Sequence, residues 1–231
     1  MKIILLVFLI KFIDSNLYYI VRPGDTLKYI SIIFSINITE ILAFNNIQSP
    51  FIYVGQRIFI GVIHYQMNQM GWNECNLREL NNCLKRFEID TFSRIRHFIS
   101  QFSYESTCGI YNQEIEDPKY CFKDESIGDL ENTKTEEECG FKDEEYIKLN
   151  GRSNYKTFAE YILHNRVMKK VFNFRQRFPW ILAGYWWHGN GMNKLCDTNP
   201  SVEIVTKRVN GGYNGLAERK RYYSLACSVF I

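Results

Sequence analysis

The sequence predicts an α+β chain, a small strand–helix–helix–strand module followed by a mainly α-helical domain. Three observations predict it. Residues 18–60 open and close on short β-rich runs, with two helix-period stretches between them. From about residue 73 onward, apolar residues recur at helical spacing. Of the 231 residues, 46 % are hydrophobic and 16 % aromatic, enough to build packed cores rather than a disordered chain.

The chain begins "MKIILLVFLIKFIDSN". Lys2 precedes an apolar run from Ile3 to Ile10, and Lys11 ends it. A bilayer span needs roughly 20 residues, so this run is too short to cross. It suits a secretory signal over residues 1–15, cut near Ser15, with an uncleaved anchor as the alternative. No other segment is long and apolar enough to cross a membrane, so a secreted chain without a membrane partner after cleavage is expected. Seven cysteines in such a chain should be largely oxidised. Cys75 and Cys83 are not expected to pair if "CNLRELNNC" is helical, because eight residues of helix span about 12 Å, beyond disulfide reach. An odd number leaves at least one thiol free or intermolecular.

The first module reads "YYIVRPGDTLKYISIIFSINITEILAFNNIQSPFIYVGQRIFI". "YYIV" is a short strand and "PGD" a turn. Asp25 or Thr26 can cap a helix starting at Leu27, with Leu27, Ile30, Ile33 and Phe34 on one face. Thr39 can cap a second helix carrying Ile41, Leu42 and Asn45. "QRIFI" closes the module as a strand. The order and spacing of "YIVRPGDTL", the "NN" pair and "YVGQRIFI" resemble a LysM domain. The resemblance implies binding of N-acetylglucosamine polymers, chitin or peptidoglycan. It places the sugar along Gly24, Asp25 and Thr26 and along the segment from Pro50 to Ile52. "NIT" at 37–39 is an N-glycosylation sequon. Residues 61–72 form a junction that is not a Gly/Ser linker, so the two domains are expected to sit close together.

In the second domain, residues 73–231, "TFSRIRHFISQFSYE" is the clearest helix, with Phe92, Ile95, Phe98, Ile99 and Phe102 as its apolar stripe. Asp90 or Thr91 can start it, and Gly109 lies just past its end. Glu105 therefore falls in or just after the last turn. The negative end of the helix dipole and the neighbouring Phe102 and Tyr104 disfavour its charged form. A general acid needs such a setting. Glu114, nine residues on, lies in an irregular acidic stretch from which an ionised carboxylate can activate water.

Four stretches in order, "RIRHFISQFSYESTCGIYNQE", "YIKLNGRSNYKTFAEYI", "PWILAGYWWHGNGMNKLC" and "VEIVTKRVNGGYNGLAERKRYY", resemble the family 19 glycoside hydrolases, which are chitinases and endolysins. The resemblance implies a lysozyme-like fold and inverting hydrolysis of β-1,4 bonds beside N-acetylglucosamine. It places the general acid on Glu105, the base on Glu114, sugar contacts on Asn154, Tyr155 and Asn210, and a cleft-supporting charge on Arg219. An amide suits sugar contact because it donates and accepts. "NGGYNG" also reads as a plain turn. Trp186 and Trp187 read as core packing or as sugar-stacking rings, and His188 as structural.

The chain departs from the family at several points. Tyr104 stands where the family has histidine, and Thr107 and Cys108 stand for its Gly-Gly. "DEE" at 143–145 replaces Gly-Arg-Gly, and Lys148 and Asn150 replace its Gln and Ser/Thr. The lost glycines change how closely backbone approaches sugar.

A formal charge of +3, with no basic run carrying interleaved aromatics, gives no nucleic-acid signal. Without a Cys-x-x-Cys or His-Glu-x-x-His motif, neither a metal nor another cofactor is expected. Charge is uneven: residues 114–145 carry thirteen acidic side chains against four Lys, and residues 146–231 fourteen basic against four acidic. This is a solvated acidic loop beside a basic face, or a basic face meeting an anionic wall. The expected function is a secreted hydrolase of chitin, with a peptidoglycan-cleaving endolysin and a weakened glycan-binding protein as alternatives.

Overall fold

The computed structural model describes residues 17–109, 152–161 and 178–231, with side chains from 156 in the middle segment. Signal residues 1–15, Glu114, the "DEE" segment, Lys148 and Asn150 lie outside the described residues.

Strand β1 (Tyr18–Ile20) pairs antiparallel with β2 (Arg57–Phe59), Tyr19 facing Ile58. Between them run α1 (Leu27–Phe34) and α2 (Ile38–Asn45). Thr26 is the N-cap of α1, its hydroxyl accepting from the Tyr29 N–H at 3.1 Å. The cap of α2 is Asn37 rather than the expected Thr39, whose own N–H and hydroxyl both donate to Asn37 Oδ1. Asn37 wins because the helix starts two residues earlier than a Thr39 cap would place it, at Ile38.

The pleat of the two strands gives the module two apolar faces. Tyr19 and Ile58 point into a local core with Leu27, Ile30, Phe34 and Ile41. Phe59, together with Leu17, Phe44 and Val62, joins the core of the helical domain instead. Residues 61–72 are accordingly structured, with α3 (His64–Gln69) inside them. Asn81 seals the junction: its Oδ1 accepts from Val62 N at 2.7 Å and its Nδ2 donates to Val62 O at 2.9 Å. Gly61, with φ at +73°, lies so close to that amide that a Cβ there would overlap it.

The helical part contains α4 (Leu77–Arg86), α5 (Phe92–Glu105), α6 (Arg152–Tyr161), α7 (Pro179–Gly189), α8 (Met192–Cys196), α9 (Val202–Asn210) and α10 (Leu216–Val229). Thr91 caps α5 through the Arg94 N–H. Ile95, Phe98, Ile99 and Phe102 of the expected α5 stripe are buried and Phe92 is half-buried, but His97, Ser100, Gln101 and Ser103 are buried as well. The helix is central: α9, α10 and α8 pack on it, and the rings of Trp180 and Trp187 meet Phe98 and Phe102 edge-on or tilted. Trp187 is therefore core, its indole N–H donating to Asn193 Oδ1 at 2.9 Å.

The expected disulfide framework is not found among the described residues, where Cys75, Cys83, Cys108, Cys196 and Cys227 are all free thiols. Cys83 and Cys196 act as small apolar core groups, and Cys83 donates to the Trp180 carbonyl. Cys121 and Cys139 lie outside the described residues.

Candidate functional site

Two regions carry the residues singled out from the sequence. The first is the open end of the β1–β2 pair. Val21 N donates to Gln56 O at 2.9 Å and Gly55 N to Val21 O at 2.8 Å, so the loop before β2 is stitched beside the turn after β1. This brings together the two segments expected to hold sugar. Asp25 is committed locally: its Oδ2 accepts from the Tyr19 hydroxyl at 2.6 Å and from Arg22 N at 2.7 Å. Burial, and then the bond to Asp25, push the Tyr19 phenol up to about 12. Asp25 thus fixes the turn, while Gly24 and the Thr26 cap stand exposed beside it. Pro50 is exposed, whereas Ile52 turns inward onto the local core. The sugar-facing segment expected from the sequence, Pro50 to Ile52, includes Phe51, 85 % exposed, but stops short of Tyr53, 71 % exposed on the same loop. Two large rings close together in one short loop were the signal the sequence offered.

The second region is the C-terminal end of α5. Glu105 is the last residue of that helix, as expected. The sequence did not show what faces it. Arg219, from the first turns of α10 and wholly buried, donates from Nη2 to Glu105 Oε1 at 2.5 Å. Its Nη1 donates to Gln101 Oε1 at 2.5 Å and its Nε to the Asn214 carbonyl at 3.0 Å. Gln101 is held in turn by Thr206. The guanidinium also lies over the Tyr104 ring, 4.2 Å from its centroid. Each nitrogen of the buried guanidinium therefore donates a hydrogen bond. The Glu105 side chain remains 19 % exposed. Gly215, the N-cap of α10 at φ +66°, is required here, because a Cβ would run into the Tyr104 ring.

The chain turns directly after Glu105. Cys108 N donates to Ser103 O at 2.9 Å and Thr107 N to Tyr104 O at 3.2 Å, the paired bonds of a Schellman end. Thr107 and Cys108 both take left-handed backbone, at φ 48° and 56°. These are the two positions where the resembled hydrolase motif carries glycine.

The remaining candidates are less convergent. Asn154 and Tyr155 lie on α6, with their side chains outside the described set. Asn210 is the last residue of α9, followed by Gly211 as a left-handed cap, so "NGG" is a helix end. Trp186 is partly buried against the core, and His188 is exposed at the end of α7 with its ring 6.0 Å from Phe87. No cluster of three His, Cys, Asp or Glu that could hold a metal occurs among the described residues.

Two buried titratable groups lie elsewhere. Burial pushes the Glu79 carboxyl up to about 8, against the Ile181 and Trp180 N–H groups that favour its charge. Burial lowers His97 to about 4, partly offset by the Pro200 carbonyl, and neither ring nitrogen reaches hydrogen-bonding geometry with a partner.

No solved structure matches the chain. Residues 19–61 match the LysM domain, and LysM domains bind chitin- and peptidoglycan-type polysaccharides. The strand–helix–helix–strand unit at the front of this protein is thus a LysM domain.

Proposed function

We propose that this is a secreted glycoside hydrolase whose LysM domain holds an N-acetylglucosamine polymer while Glu105 and Glu114 hydrolyse its β-1,4 bonds with inversion. Glu105 is the general acid and Glu114 the base that activates water, a pair that in such enzymes stands about 6.5–9.5 Å apart. Chitin is the favoured polymer. The observation that carries the reading is the turn after Glu105. Its Thr107 and Cys108 both take left-handed backbone, the conformation that glycine, carried at these two positions by the resembled motif, adopts most readily. Arg219 supports it by fixing Oε1 of a carboxyl that stays partly open to solvent. On the LysM side, Gly24, Thr26, Pro50, Phe51 and Tyr53 form the sugar-facing edge, with the two rings stacking on apolar sugar faces.

A glycan-binding protein without the chemistry is the second reading. It is favoured by "DEE" at 143–145 and Lys148, which replace the family's sugar-approaching glycines and its Gln.

The test is product release from chitin hexamer and from purified peptidoglycan by the wild type and by Glu105→Gln. Cleavage by the wild type alone supports the first reading, and the preferred polymer names the substrate. Cleavage by both proteins removes Glu105 from the mechanism. No cleavage, with chitin pull-down intact, establishes the second reading. Separately, Phe51→Ala with Tyr53→Ala should weaken chitin pull-down at least about fivefold. Unchanged pull-down would move the sugar off this loop.

A further inference from the structure

A groove of about 680 Å³ runs between the end of α2 in the LysM domain and α4 with the start of α7. It lies where the module joins the helical domain and includes neither the Gly24–Thr26 turn nor Glu105. Its polar wall holds three cations, Arg78, Lys85 and Arg86, and three carboxamides, Asn46, Asn76 and Asn82. Its apolar wall is Phe44, Phe178 and Ile181.

The cations differ in how far they are used. Lys85 donates to the Phe44 carbonyl, which ties it to the module. Arg86 donates from Nη2 to the Tyr161 carbonyl at 3.5 Å and lies 5.0 Å from the centroid of that residue's ring and 5.9 Å from that of Phe87, which among the described residues leaves Nη1 for a ligand. Arg78 is exposed and has no side-chain partner among the described residues. Asn76 already accepts from Glu79 N through Oδ1 as the cap of α4, which leaves its amide N–H groups to donate. Glu79, 5 % exposed, completes the wall. Its Oε1 accepts from Ile181 N at 2.8 Å, and its Oε2 is buried without a partner. A buried polar atom left unpaired is costly and calls for an explanation.

We propose that this groove is a second carbohydrate site, which takes a carboxylate-bearing N-acetylated saccharide. The guanidinium groups of Arg78 and Arg86 meet the carboxylate, for which their planar fork is suited. The amides of Asn46, Asn76 and Asn82 meet hydroxyl and acetamido groups, and the rings of Phe44 and Phe178 meet the apolar sugar face. The saccharide class rests on the polysaccharide reading of the LysM domain, whereas the preference for a carboxylate rests on the groove alone.

The test titrates the full chain with N-acetylmuramic acid, N-acetylglucosamine and lactate, and repeats each titration on Arg78→Gln/Arg86→Gln and on Asn82→Ala. The first sugar differs from the second by a lactyl ether carboxylate. The expected result is at least tenfold tighter binding of N-acetylmuramic acid than of N-acetylglucosamine. The double variant should lose that preference, and Asn82→Ala should weaken the acid sugar at least threefold. Chitin hexamer binding should stay within twofold in all variants, because it belongs to the LysM edge. These side chains are exposed, so the variants should melt with the wild type. Equal affinity for the two sugars, or a preference that survives the double variant, overturns the proposal. Lactate binding as tight as the acid sugar overturns its saccharide part. Lost hexamer binding by the wild type would instead count against the LysM reading, and absent hydrolysis against the catalytic one, with this site judged separately.

Discussion

Arg219 is wholly buried, and Glu105 is the carboxylate that balances it. Removing one member of a buried pair leaves an uncompensated charge, which costs about 3–5 kcal/mol. Glu105→Gln leaves the wholly buried Arg219 without its counter-charge and should lower unfolding stability by that amount in urea. A cost below about 1 kcal/mol would mean that Gln101 and Asn214 hold Arg219 without the charge. His97 and Glu79 set opposite pH slopes. His97 drops from 6.5 to about 4 on folding, so the native state binds fewer protons than the unfolded chain between those values. Its stabilisation is complete above pH 6.5 and is lost, to the extent of about 3 kcal/mol, as pH falls through 4. Glu79 rises from 4.5 to about 8, so its contribution is complete below pH 4.5 and is lost as pH rises through 8. His97→Phe, which keeps a ring on Tyr223, should therefore unfold with a flatter acid limb, and Glu79→Gln with a flatter alkaline limb. An acid limb in His97→Phe as steep as in the wild type would assign that slope to other groups.

At the scale of elements, four helices end without the glycine that usually marks such an end. Ser35, Asn46, Glu88 and Thr107 each take a left-handed backbone, at φ 53°, 51°, 54° and 48°. Each is followed by a residue whose N–H reaches back five positions: Ile36 to Ser31, Ile47 to Leu42, Ile89 to Leu84 and Cys108 to Ser103. Asn tolerates this conformation, but for other L-residues it costs roughly 1–2 kcal/mol. Glu88→Gly and Thr107→Gly should each raise stability by about 0.5–1 kcal/mol after the larger unfolded-state entropy of glycine is deducted. A loss in chemical denaturation would show that those side chains hold more than their own turn. The same fact explains why helix starts were more legible than ends. Thr26 and Thr91 announce their helices through a hydroxyl at the cap, whereas Glu88 and Thr107 carry no local mark of a stop.

At the scale of the molecule, the LysM domain is built into the helical domain. Leu17, Phe44, Phe59 and Val62 belong to the larger core, and Asn81 closes the junction from the helical side. Cutting the module away would expose that apolar face to water. Calorimetry of the full chain should accordingly show one cooperative transition, and Asn81→Ala, which leaves both Val62 backbone groups unpaired, should lower its midpoint by several degrees. Two separate transitions in the wild type would contradict the shared core.

What the sequence determined by itself is local. Turn chemistry at "PGD", strand and helix periods, and the spacing of "YVGQRIFI" fixed the strand–helix–helix–strand unit, because its contacts join residues at most about forty apart. The α5 stripe and the place of Glu105 at its end were legible for the same reason. Only the tertiary structure decided what faces Glu105, because Arg219 lies 114 residues away and its burial depends on α10 packing on α5. It also decided that Phe59 and Phe44 look outward into a second core, and that α2 and α4 leave a basic groove between them. Periodicity tells which residues share a face of one element, but the partner of that face is set by packing between distant segments.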